Sequence, residues 1–110
     1  MNDPHENCPC METCPLAYAM ELIGGKWKMQ ILCALSNNGP TRYNALKRKL
    51  DGVSNTVLAS ALKELERDGL LLRREYLEVP VRVEYEVTDR ARPLLPILDA
   101  LGDWSETVRR

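Results

Sequence analysis

The 110 residues predict a chain that is mainly α with a small β-hairpin. Three observations carry this expectation. Apolar residues recur at three- and four-residue spacing through residues 15–65, broken by glycine-rich turns. After Gly69 the period drops from 3.6 to 2 over two short runs, as in paired strands. A last helical stretch then carries more apolar residues than one intramolecular face can use.

Residues 1–14 show no periodicity and read as a flexible arm containing Cys8, Cys10 and Cys14. Pro15 suits the first position of a helix. Leu16, Ala19, Met20 and Ile23 form that helix's apolar face, and Gly24-Gly25 ends it. A second helix is expected over 26–36, burying Trp27, Ile31, Leu32 and Leu35, with Met29 and Cys33 nearby. Asn37-Asn38-Gly39-Pro40 is a turn, and Thr41-Arg42 a very short strand. A third helix runs from Tyr43 to Leu50, with Tyr43, Leu46 and Leu50 inward and Lys47, Arg48 and Lys49 outward. Asp51-Gly52-Val53 connects it tightly to the next element.

That element, residues 54–69, is marked at both ends. Ser54 is a good N-cap, and Gly69 can close the C-terminus in a left-handed conformation. Val57, Leu58, Ala61, Leu62 and Leu65 make one apolar stripe. Thr56, Ser60, Lys63 and Arg67 share another face, with Asn55 and Ala59 beside them. An ordinary amphipathic surface helix would have the same stripe. The second face, small, neutral to basic and able to hydrogen-bond, is what a helix lying in a major groove requires.

Leu70–Tyr76 and Arg82–Val87 read as strands, joined by the loop 77–81. A hairpin directly after helix, turn and helix is a wing, so the order is that of a winged helix-turn-helix. Thr88 is the expected cap of the last helix, 89–108, with Asp89 near its positive end. Pro93 and Pro96 fall in its early turns and can start it late or kink it. Its surplus apolar residues, Leu94, Leu95, Ile97, Leu98, Leu101, Trp104 and Val108, need cover that a two-fold partner would supply. Packing on the first two helices is the simpler alternative.

Length and composition suit one domain, residues 15–110, following the arm. No run approaches the ~20 apolar residues of a membrane span, and no signal-peptide pattern opens the chain, so a cytoplasmic location is expected. The net charge of −1 does not advertise a nucleic-acid partner, but its distribution does. From Lys26 to Leu50 six basic residues (Lys26, Lys28, Arg42, Lys47, Arg48, Lys49) stand without one acidic residue. A local basic field of this kind meets phosphate, although a solvated helix face is the bland reading of any charge run.

The ordered set of motifs resembles the HxlR-type winged helix-turn-helix regulators, relatives of the MarR-like group, from Cys14 to Trp104. The matching pieces are Cys14-Pro15, Leu22-Ile23-Gly24-Gly25-Lys26-Trp27, and Ile31-Leu32 with the Gly39-Pro40 turn. Arg42-Tyr43-Asn44 with Leu46, Val53-Ser54 with Leu58, and Leu62-Lys63-Glu64-Leu65-Glu66 leading to Asp68-Gly69-Leu70 follow. Glu78-Val79-Pro80, Val83-Glu84-Tyr85, Thr88 and Leu94-Leu95-Pro96 complete the set. Arg90-Ala91 departs from the family, which often has a glycine there, and Cys8 and Cys10 are not required by it. The resemblance implies a bacterial or archaeal homodimeric transcription regulator on a near-palindromic operator, dimerising through its N- and C-terminal helices. Repression is the usual mode in the family.

On double-stranded DNA, residues 54–63 are expected in the major groove. Asn55, Thr56 and Ser60 are the candidates for base edges; Asn suits adenine, and a threonine methyl can meet a thymine methyl. Ser54 stands at the entrance. Lys63, Arg67, Arg42, Lys47, Arg48 and either Lys26 or Lys28 are candidates for phosphate. Arg82, near the wing tip, is either a minor-groove contact or a cross-strand partner of Glu75 or Glu84.

Cys14 precedes a helix N-terminus, where the dipole favours the thiolate. Several HxlR-type regulators sense oxidants or electrophiles with a cysteine at the matching place, so the resemblance makes Cys14 a candidate redox sensor. The alternative is a small packing residue. Cys8 and Cys10 can resolve a sulfenic acid at Cys14, or bind a soft metal with Cys14 and His5 as a minor reading. Cys33 is expected in the core. No catalytic constellation is present, and no cofactor is expected. The rival from another class is a protein-binding winged helix, an adaptor or antirepressor that would not need the basic stretch.

Overall fold

A computed structural model describes residues 14–109. The arm, with Cys8 and Cys10, lies outside the described residues apart from Cys14. That residue is buried at the start of the first helix rather than belonging to an arm.

Helices α1 (Pro15–Ile23) and α2 (Lys28–Asn38) lead into the short strand β1 (Thr41–Arg42). Helix α3 (Tyr43–Lys49), a turn and helix α4 (Asn55–Arg67) form the helix-turn-helix. Strands β2 (Leu71–Tyr76) and β3 (Arg82–Val87) form the wing, and helix α5 (Leu95–Arg109) closes the chain. The sheet has the order β1-β3-β2 and is antiparallel throughout. Thr41 pairs with Tyr85, and Leu71 with Val87 through to Tyr76 with Arg82. β1 therefore ties the start of α3 to the wing.

The core sits where α2, α3 and α4 meet. Ile31, Leu32, Leu35, Leu46, Leu58, Leu62 and Leu65 are all buried almost completely. Burial of each such side chain contributes about 1.5–3 kcal/mol. Leu50 and Val53 anchor the turn between α3 and α4 in this core, and the Val53 amide donates to the Leu50 carbonyl at 3.2 Å. Gly52 carries a φ of +90° there, a conformation that side chains with a Cβ adopt at a cost.

Several expected boundaries are corrected. α2 starts at Lys28, not residue 26, because Trp27 takes the N-cap position, and it runs on to Asn38. Val57 leaves the apolar stripe: it is 43% exposed, on the edge of α4 that lines an open depression with Gly24 to Lys28. Thr88 does not cap the last helix. Its hydroxyl donates to the Gly69 carbonyl at 2.7 Å and its amide to the Leu70 carbonyl at 3.2 Å, so it clamps the end of the wing to the end of α4. The last helix starts late. A 3-10 turn at Arg92–Leu94 contains Pro93, and α5 begins only at Leu95, with Pro96 in its first turn where a missing N–H costs nothing.

Candidate nucleic-acid interface

The exposed face of α4 starts from its cap. The Ser54 hydroxyl oxygen accepts the Val57 amide at 3.1 Å, satisfying one of the orphan donors of the first turn. Leu58, Leu62 and Leu65 point into the core. The 3.6-residue period consequently turns Asn55, Thr56, Ala59, Ser60, Lys63 and Arg67 to solvent, and all six are exposed.

Two contacts that the sequence did not reveal hold this face. The Tyr43 hydroxyl reaches from α3 to the Asn55 carbonyl at 3.2 Å and to its Oδ1 at 3.1 Å. Lys28 of α2 donates to Glu64 Oε1 at 3.2 Å, and Ser60 donates to Glu64 Oε2 at 3.3 Å. The hydrogen bond and charge of Lys28 hold the Glu64 carboxyl below its ordinary value, with smaller help from Ser60 and Arg67. Lys28 is only 8% exposed, so the expectation of a phosphate contact from it is corrected: its ammonium faces α4. Lys26 lies exposed, 5.0 Å over the Trp27 ring. Separations of 12 and 36 residues put both contacts beyond any local spacing rule.

The basic residues divide into paired and unpaired. Arg67 lies against Asp68, and Arg73 and Arg74 pair with Glu75 and Glu86. Among the described residues Arg42, Lys47, Arg48, Lys49 and Lys63 enter no ion pair. Arg42 and Arg48 line a cleft between α3 and the wing residues Pro80 to Val83, and Lys63 lies in a shallow depression with Ser60, Tyr43 and Arg73. Arg82 donates to Glu84 at 2.6 Å and to Glu78 at 2.7 Å and stacks 3.9 Å from the Tyr76 ring. Glu84 is two residues along the same strand, and Glu75 faces Val83 in the register, so no cross-strand pair with Glu75 forms. In this conformation the Arg82 guanidinium braces the wing. Leu77, Val79 and Val81 stand exposed at its tip.

Cys14 occupies the N-cap of α1 and is 1% exposed. Cys33 packs against the core, where burial, then the charge of Asp99, push its thiol up and keep it protonated. Among the described residues no helix is long and apolar enough to cross a membrane.

A family model for the HxlR-like helix-turn-helix matches residues 22–110. The chain belongs to the HxlR-like family. An HTH-type transcriptional regulator of Halalkalibacterium halodurans is 50% identical over 90 residues, which is 82% of this chain and 80% of that one. The crystal structure of a putative HTH-type regulator, ytcD, superposes with a TM-score of 0.82 at 39% identity, covering 88% of this chain and 99% of the other. The redox regulator HypR in its oxidised form superposes with a TM-score of 0.80 at 35% identity, covering 86% and 96%. The HxlR-like winged helix-turn-helix is thus a transcription-regulator fold, and its helix-turn-helix is the pair α3–α4.

Proposed function

We propose that this HxlR-like chain is a sequence-specific DNA-binding transcriptional repressor that grips a near-palindromic operator as a homodimer. The observation that carries the reading is the α4 face: capped, rigidly seated on the core, exposed, and flanked by unpaired cations on α3. Asn55, Thr56 and Ser60 read base edges from the major groove, with Ser54 at its entrance. Arg42, Lys47, Arg48, Lys63 and Arg67 meet phosphate and set the register. Arg82 reaches the minor groove or its backbone only on releasing Glu78 and Glu84. The partner is a second copy, because Leu16, Tyr18 and Met20 of α1 and Ile97, Leu101, Trp104 and Val108 of α5 are all exposed. An adaptor that bound only protein would have no use for the unpaired cations of α3.

Selection from random duplexes, followed by binding at several salt concentrations, tests this. Asn55→Ala relaxes the preference at one operator position by about 1–3 kcal/mol if the contact is bidentate. Arg48→Ala weakens every sequence alike and flattens the salt dependence. Equal affinity for selected and random DNA at all salt concentrations overturns the proposal.

A redox- or electrophile-responsive form of this repressor is favoured by one observation, the seating of Cys14 on the positive end of α1. Likeness to the redox regulator HypR supports it. Cys14 is buried, so an oxidant reaches it only once the groups that cover it move aside. Diamide treatment followed by non-reducing gels and operator binding is the test, with release of DNA by wild type and not by Cys14→Ser as the expected result. Unchanged binding by the oxidised wild type removes the idea.

A further inference from the structure

We infer that Glu64 is a positioning residue for base recognition: it takes the one proton of the Ser60 hydroxyl, so that Ser60 meets the major groove as a hydrogen-bond acceptor. The inference rests on the reading of α4 as the groove-entering helix, and it names the base class that one of its side chains selects.

Three contacts carry it. A serine hydroxyl has one proton and two lone pairs, and its role is ordinarily decided by rotation. Here Ser60 Oγ lies 3.3 Å from Glu64 Oε2, one helical turn below on the same face. The bond is long for an O–H donor. Its direction does not depend on its strength, because an ionised carboxylate only accepts. The carboxylate is held in place and ionised by Lys28, whose Nζ donates to the other oxygen, Oε1, at 3.2 Å. Lys28 is itself buried against α4, so this anchor belongs to the frame of the protein and not to a mobile surface arm. Ser60 is exposed, so its lone pairs are open to a partner in the groove. In the major groove the donors are the exocyclic amino groups, cytosine N4 and adenine N6, while guanine and thymine offer acceptors at O6 and O4. Ser60 therefore favours cytosine or adenine on the strand it faces and disfavours guanine or thymine there.

The same geometry says how to release the preference. In Glu64→Gln the amide oxygen stays on the Lys28 ammonium, which can only donate. The amide NH2 then faces Ser60 and donates to Oγ, which frees the hydroxyl proton and leaves Oγ one proton and one lone pair for the groove. Glu64→Ala removes the constraint and leaves the hydroxyl free to serve either class.

The test is selection from random duplexes under reducing conditions with wild type, Ser60→Ala, Glu64→Gln and Glu64→Ala, each verified as folded by its thermal melt. Base identity is read out in place of affinity, because removing a negative charge near phosphate raises affinity for every sequence. Ser60→Ala marks the position by erasing its preference. There the wild type is expected to favour cytosine or adenine about three- to ten-fold, the worth of one net hydrogen bond. Glu64→Gln is expected to admit guanine or thymine on that strand alongside cytosine or adenine, and Glu64→Ala to level the preference. An unmoved preference in both Glu64 variants overturns the inference and leaves groove reading intact. So does a selective wild type that Ser60→Ala leaves unchanged. A wild type that selects nothing overturns the groove reading, and this inference with it.

Discussion

Two side chains, Ser54 and Glu64, set the behaviour of α4 at the scale of single residues. Ser54 satisfies an amide that would otherwise be left to water, and Ser54→Ala should cost about 1 kcal/mol, seen as a lower urea midpoint with an unchanged slope. Glu64 ties α4 to α2 through Lys28. Its folded pKa lies below its unfolded value, so the bridge stabilises the fold while Glu64 is ionised in both states. That stability is present above the ordinary carboxylate range and is lost as pH falls through the lowered folded value. Melts taken from pH 7 down to about 3 should show wild type losing more of its thermal midpoint than Glu64→Gln. Parallel losses in the two proteins would show that the ionisation of Glu64 contributes nothing to stability.

At the scale of elements, the joint between α4 and the wing decides whether the two act as one body. The Thr88 hydroxyl and amide close on Gly69 and Leu70, and Gly69 reaches the required turn with a φ of +80°. A Cβ there would approach the flexible Arg90 side chain at 3.3 Å, which can give way, so the cost of Gly69→Ala is mainly the left-handed backbone. We expect a loss of about 1–2 kcal/mol in denaturant unfolding. A neutral substitution would mean that the turn can re-form in another conformation. The wing brings its own internal balance: Arg74 with Glu86, and Arg82 with Glu78 and Glu84, leave little free positive charge on the hairpin. The unpaired charge is concentrated on α3.

At the scale of the whole molecule, the exposed apolar faces of α1 and α5 are the surfaces on which the proposed dimer rests. Trp104 is 62% exposed and Leu101 45%, more apolar surface than the α2 side of the helix covers. In a dimer that meets one face of DNA, the two copies of α4 must lie about one helical turn apart, roughly 34–36 Å. Replacing Trp104 and Leu101 by Glu should leave a folded chain that sediments as a monomer and binds half-sites weakly. A double variant that remains dimeric would move the interface elsewhere. Operators with the half-site spacing lengthened by five base pairs, half a turn, should lose the gain in affinity from the second half-site.

Local pattern was enough for the element order, the Ser54 cap, the Gly69 stop, the wing and the outward face of α4, because period, cap chemistry and glycine punctuation act over a few residues. The family match rests on the same local pieces. Tertiary structure alone decided that Lys28 is buried against Glu64, that Tyr43 holds Asn55, that Thr88 clamps the wing instead of capping α5, and that Arg82 is taken by Glu78 and Glu84. Each of these depends on which groups arrive opposite one another after the helices pack. A hydrogen bond across 19 or 36 residues leaves no periodic trace in the chain. Burial, likewise, is a property of neighbours, which is why Val57 fits the apolar stripe by spacing and yet stands in solvent.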